Sequence, residues 1–198
     1  MGKMQITLEN LKAFHDEFDD QISKYKTVCS KGCSHCCYQF VPAMSFEVNY
    51  IKDAVKNLKE SIKKKVKQQY ENAMNHFLQN TPDGKILEYH DVYTDYAKLT
   101  GKDWIPCPLL VDDCCAIYAV RPFTCHLHFQ LDDPMICKQN NIRDAAPEAL
   151  QMMGKFMKFL VTTGDMHLVP IIIILKDIFD KKRKIKALPK QKYKQLKI

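Results

Sequence analysis

Nine cysteines stand among 198 residues, and their spacing is the first chemistry this chain offers. Cys29, Cys33, Cys36 and Cys37 form one group, Cys107, Cys114, Cys115 and Cys125 form a second, and Cys137 follows alone. Thiols this dense either crosslink a chain or hold a metal. Nine is odd and cannot pair off completely. Met1–Ile6 has neither the apolar core nor the small-residue cleavage site of a secretory signal, so a cytoplasmic location with reduced thiols is expected. The most apolar run, Leu168–Leu175, is broken by Pro170 and is far shorter than the roughly 20 residues that span a bilayer. Metal binding is therefore the expectation.

Ligand number narrows the centre without naming it. A structural zinc site takes four thiolates in a tetrahedron, and a [4Fe-4S] cluster also takes four. Soft sulfur coordination suits both. Eight cysteines in two groups exceed one mononuclear site, so either some are spare or the site is polynuclear. Cys36 and Cys37 are adjacent. They reach one metal only if the backbone turns there, and otherwise serve two metals or two atoms of one cluster. The Cys29-x3-Cys33-x2-Cys36 spacing is also the one with which radical S-adenosylmethionine enzymes hold a cluster. Those enzymes set the loop after the first strand of a βα barrel, whereas helical patterns flank it here. Three cysteines spaced this way can still bind a cluster without that chemistry.

Three blocks carry a family resemblance. They are Cys29-Ser30-Lys31-Gly32-Cys33-Ser34-His35-Cys36-Cys37, Cys107-Pro108-Leu109-Leu110, and Cys115-Ala116-Ile117-Tyr118-Ala119-Val120-Arg121-Pro122-Phe123-Thr124-Cys125. Together they resemble the YkgJ-type cysteine-cluster family, a zinc- or iron-chelating domain often classed as iron–sulfur-containing. The likeness covers roughly residues 29–126. It implies a metal set of Cys29, Cys33, Cys36, Cys37, Cys107, Cys115 and Cys125, with Cys114 and Cys137 outside the pattern. It favours an iron–sulfur cluster, such as [4Fe-4S], over zinc. The family has Arg after its last cysteine, and His126 stands there instead, either as a ligand or as a filler of the Arg position. A similar cysteine region in flagellin lysine methylases implies a role beside methyl transfer. No G-x-G-x-x-G loop supports methyltransferase activity in this chain.

Arg121, between Cys115 and Cys125, is expected to donate hydrogen bonds to cluster sulfurs and offset their charge, rather than to pair with Asp112 or Asp113. His35 and His128 lie near the ligands and are read as supporting groups, and Tyr118 as packing. No Ser-His-Asp set, paired-carboxylate motif or P-loop stands out, so neither a hydrolase nor an NTPase is indicated and enzymatic activity stays open. Two other readings remain: a structural zinc module that presents its surface to a protein partner, and a redox enzyme or sensor acting through Cys36 and Cys37 as reactive thiols.

Helices must position these groups. Leu8, Leu11, Phe14, Phe18, Ile22 and Tyr25 recur at helical steps behind Thr7, a good N-cap. Ser45 is read as the cap of one long helix whose stripe runs Val48, Ile51, Val55, Leu58, Ile62, Val66, Tyr70, Ala73, Phe77, with Lys56, Lys59, Lys63, Lys64 and Lys67 on its wet face. Thr81–Gly84 reads as a turn and 86–99 as a further helix. Apolar residues flanking Asp112-Asp113 predict a short hairpin or a pair of extended segments near 107–120. A helix is expected from Ala145-Ala146-Pro147-Glu148 to about Val161, and a last one from near Val169 to about Lys182. The fold class expected is a mainly α single domain, residues 1–180, with two irregular cysteine segments clamped by metal. Residues 181–198 form a basic tail. The net charge of +7 resides there: the last eighteen residues hold nine basic side chains and no acid, leaving −2 on the rest. The tail is read as a solvated end, with weak attraction to phosphate or anionic lipid as the only nucleic-acid-like signal.

Overall fold

The computed structural model describes residues 7–30, 32–39, 42–80, 103, 105–139, 144–161 and 168–183. The architecture is mainly α. Among the described residues, seven helices are joined by two very short sheets: α1 (Leu8–Ile22), α2 (Val48–Lys56), α3 (Glu60–Asn80), α4 (Phe123–His126), α5 (Pro134–Gln139), α6 (Pro147–Val161) and α7 (Ile171–Phe179). Strand β1 (Pro42–Met44) pairs antiparallel with β4 (Leu168–Pro170), and β2 (Leu110–Val111) with β3 (Cys114–Cys115). Short 3-10 turns cover His35–Tyr38, Ser45–Glu47 and Tyr118–Val120. No helix among the described residues is long and apolar enough to cross a membrane.

Local chemistry explains most boundaries. Thr7 accepts the Asn10 N–H at 3.2 Å and opens α1 with a reciprocal capping box. Pro147 takes the first position of α6, where its missing N–H costs nothing. Asp112 and Asp113 both adopt positive φ, 51° and 59°, the twist a two-residue hairpin between right-twisted strands requires. The expected hairpin is present.

Three sequence expectations are corrected. The single helix from Ser45 to Phe77 is two helices, broken at 57–59, where Asn57 ends α2. Asn competes with the backbone for its hydrogen bonds and suits a helix end. Ser45 does not cap the helix. It lies in a 3-10 turn whose Met44 N–H is taken by the Glu47 carboxylate at 2.7 Å. Val169 does not begin the last helix either. It pairs with Ala43 in the sheet, Pro170 ends the strand, and α7 runs only to Phe179. The turn at Thr81–Gly84, the helix at 86–99 and the tail beyond Arg183 lie outside the described residues.

Among the described residues, two apolar cores result. In one, Ile51 and Val55 of α2, Val66, Tyr70 and Phe77 of α3, and Ile172, Ile174 and Leu175 of α7 close over Leu109, Val111 and Ile117 of the hairpin region. In the other, Leu11 and Phe18 of α1 meet Phe123, Leu127, Phe129, Ala149 and Phe156. Each fully buried large side chain contributes roughly 1.5–3 kcal/mol. Surface pairs such as Lys52–Asp177 at 2.6 Å and Lys65–Asp112 at 2.7 Å tie elements together. Exposed pairs of this kind are worth roughly 0–1 kcal/mol each.

Candidate metal centre

Backbone contacts bring the two cysteine segments together. The Cys107 N–H donates to the Cys37 carbonyl at 2.7 Å, joining the first segment to the second. The Cys37 N–H donates to Ser34 O and the Gln39 N–H to Cys36 O, so His35–Tyr38 turns tightly. In the hairpin, neighbouring side chains point to opposite faces, and Cys115 together with Cys107 packs against the α2–α3–α7 core. Helix α4 presents Cys125. It is held by a fully buried acid, Glu47, which accepts the Phe123 N–H at 2.8 Å.

Electrostatics show which thiols are neighbours. The Cys37 thiol donates to Cys36, which holds Cys36 down at about 7, helped by the Arg121 charge, and drives Cys37 upward. Burial pushes Cys107 up to about 12, with charge on Cys115 and Cys36 adding to it. Cys115 and Cys125 are raised first by burial, and Cys125 also by Cys107, Cys115, Cys36 and Glu47. Cys37, Cys107, Cys115 and Cys125 therefore form one group raised by charge on Cys36, which is itself lowered. Cys29 and Cys33 stand in a different one. Burial raises both, and the charges that oppose their ionisation are those of Cys36 and Cys137, and for Cys29 also that of Cys33. None of the nine is joined in a disulfide. Among the described residues, no three His, Cys, Asp or Glu side chains are already disposed as ligands of one metal ion.

Arg121 lies where its charge reaches Cys36 and Cys115. Its guanidinium carbon sits 4.2 Å from the centroid of the Tyr118 ring, a cation–π contact. Tyr118, 49 % exposed, is the platform under that guanidinium. The Nε–H of Arg121 is buried and has no hydrogen-bond partner among the described residues. Asp112, one of the two acids considered for Arg121, is bound to Lys65.

His126 is not disposed as a ligand. Its Nε2 meets Asp19 Oδ1 at 2.8 Å and its Nδ1 meets His15 Nδ1 at 3.1 Å, so both ring nitrogens are taken. If Nε2–H of His126 donates to Asp19, the network assigns the proton of His15 to Nδ1. His15 Nε2 is then a buried acceptor without a partner among the described residues. His15 stacks on Phe123 at 4.3 Å and 17°.

Sequence reasoning passed over Glu47 and His15, and set Cys137 outside the family pattern. The first two carried a signal. Glu47 lies four residues before Ile51 in the apolar phase of its stripe, and His15 lies between Leu11 and Phe18 in that of α1. Cys137 carried none, because its position depends on how α5 packs.

No family model, no curated protein and no solved structure matches this chain.

Proposed function

We propose that this protein holds a thiolate-ligated metal centre where Cys36, Cys37, Cys107, Cys115 and Cys125 meet, and that the centre is an iron–sulfur cluster rather than zinc. One observation carries the reading: Cys37, Cys107, Cys115 and Cys125, drawn from three segments, are largely buried beside the Cys36 thiol, where mutual charge and desolvation oppose their ionisation. Apolar packing alone would not place so many ionisable sulfurs against one another. A bound cation reverses the balance, since it stabilises the thiolates that burial disfavours.

The donor set fits the group. Four thiolates satisfy either a cluster or zinc. The orphaned Arg121 Nε–H beside Cys36 and Cys115 fits an anionic sulfur acceptor, and hydrogen bonds to sulfur are one lever that sets cluster potential. The resemblance of the three cysteine blocks to the YkgJ-type family points the same way. When bound, such a cluster supplies one-electron chemistry or a rigid crosslink. This chain's own residues orient it through the Cys37–Cys107 backbone bond and the Glu47–Phe123 bond, and offset its charge through Arg121. A cytoplasmic location suits reduced thiols.

Anaerobic purification followed by iron, sulfide and zinc analysis tests this. Iron and acid-labile sulfide in matching amounts are expected. Stoichiometric zinc without iron in protein never exposed to air would replace the cluster with the structural zinc module. A second reading rests on Cys36, whose thiol is held at about 7 by its neighbour. As a reactive thiol it would be alkylated rapidly in metal-free protein and would need no metal for its role.

A further inference from the structure

We infer that the cleft between α3 and the turn that follows α7 is a binding site for a small organic carboxylate, with the carboxylate on Tyr70 and Arg183 and an apolar body against Phe179 and Met74. The cleft has a volume of about 350 Å³, toward the lower end of small-molecule sites, and no cysteine lines it.

Helix geometry builds one wall. Lys67, Tyr70, Glu71 and Met74 of α3 follow the i, i+3, i+4, i+7 pattern and so share one face. The other wall is the end of α7. The ring of Phe179 lies 6.0 Å from that of Tyr70, at 37°. The helix stops there. The Asp180 N–H still reaches the Lys176 carbonyl at 2.8 Å, and the Arg183 N–H closes on Asp180 O at 3.2 Å. This turn brings Arg183 back to the cleft, where its Nε–H donates to Asp180 Oδ2 at 2.7 Å.

The hydroxyl of Tyr70 carries the inference. Tyr70 is 2 % exposed, and its hydroxyl is buried with no hydrogen-bond partner among the described residues. The Arg183 charge is felt there, but no hydrogen bond of good geometry joins the two groups. A buried hydroxyl left unpaired is costly, and a ligand oxygen that accepts its proton removes the penalty. The ligand gains the hydroxyl by a shift of Arg183, whose side chain is 36 % exposed and is held by Asp180 within its own turn. A carboxylate there accepts from the Tyr70 O–H and from the guanidinium, which presents five N–H donors. Lys67 adds positive charge, since its contact with Glu71 is 3.5 Å long. Glu71 and Asp180 balance the two cations, so the cleft suits a single negative charge better than a phosphate dianion.

Saturation-transfer NMR on the full chain as purified tests this, with benzoate, phenylacetate and hexanoate as probes and benzamide as the uncharged control. At least one carboxylate should bind saturably, and benzamide should bind more weakly than benzoate. Tyr70→Phe should lose at least about tenfold in affinity, the effect of one hydrogen bond to a charged group, and should melt no lower than wild type, because the hydroxyl it removes has no partner in the fold. Arg183→Gln should lose affinity to a similar extent; its side chain is partly exposed, so this variant decides the matter if Tyr70→Phe fails to fold. No saturable binding by any of the three carboxylates overturns the inference. So does benzamide binding as tightly as benzoate, which would mean that the charge is not read. Unchanged affinity in the variants would place the probes elsewhere on the surface and overturn it as well.

Discussion

Burial moves His15 and Glu47 in opposite senses along the pH axis. His15 is 4 % exposed, and desolvation lowers it from 6.5 to about 4, with the neighbouring His126 charge adding to the effect. Its folded value lies below the unfolded one, so its contribution is complete above 6.5 and is lost as pH falls toward about 4. Glu47 is 1 % exposed, and burial raises it from 4.5 to about 7 despite the two backbone N–H groups it accepts. Its contribution is complete below 4.5 and is lost as pH rises through about 7. The two slopes oppose each other between those limits and mask one another in the wild type. Variants separate them when each melting temperature is taken relative to wild type at the same pH, which cancels the thiol titrations. His15→Phe should gain on wild type as pH falls from 6.5 to 4. Glu47→Gln should start lower, because its amide N–H₂ faces one of the N–H donors at a cost of about 1–3 kcal/mol, and should gain on wild type as pH rises from 4.5 to 7. A flat difference for either variant would mean that the side chain titrates as it does in the unfolded chain.

At the scale of elements, two glycines make opposite predictions. Gly32 sits at φ +94° between Cys29 and Cys33, and nothing lies within 4 Å of a Cβ placed there. The cost of Gly32→Ala is therefore backbone strain alone, roughly 1–2 kcal/mol. Gly154 lies exposed within α6, also with open space around it, so Gly154→Ala should stabilise by about 0.5–1 kcal/mol. Chemical denaturation of both variants checks the signs, and a neutral Gly32→Ala would show that the bend does not need glycine. These local rules also mark what was legible in the sequence. The capped start of α1, Pro147 at the start of α6 and the hairpin around Asp112-Asp113 follow from nearby residues and were readable. The break at 57–59 was not, because the stripe through Val55, Leu58 and Ile62 keeps its period across it. The pairing of Pro42–Met44 with Leu168–Pro170 was not either: three-residue strands far apart in sequence leave no alternation to read. For the same reason the cysteine blocks showed which residues could ligate but not how their segments meet. That depends on the Cys107 N–H meeting the Cys37 carbonyl and on Val28 meeting Gln130, contacts between segments with no shared pattern.

For the whole molecule, the question is what holds the cysteine segments when metal is bound and when it is not. Residues 184–198 hold no cysteine or histidine, so they have no thiolate or imidazole to offer a metal. Deleting 185–198 should leave metal content unchanged and abolish any salt-sensitive binding to anionic vesicles or nucleic acid, an attraction screened beyond about 8–10 Å at physiological salt. Loss of metal on truncation would assign the tail to the site. The centre itself should matter far more. The two apolar cores account for α1, α2, α3, α6 and α7 without metal, but the cysteine segments between them are mostly loops and turns, with thiols that burial keeps protonated. Metal joining Cys37 to Cys107 and Cys125 closes a long loop and converts those thiols to thiolates, so its binding free energy becomes folding free energy, apparent values of about 10–16 kcal/mol being known for zinc-finger peptides. Cys125→Ala should therefore lose metal and melt well below the wild type. Treating both proteins with a strong chelator under reducing conditions separates ligation from packing. Wild type should fall to nearly the melting temperature of Cys125→Ala, and the variant should fall much less. If the gap between them survives metal removal, Cys125 acts only as a buried apolar contact beside Glu47, and the centre at the hairpin is not what stabilises the fold.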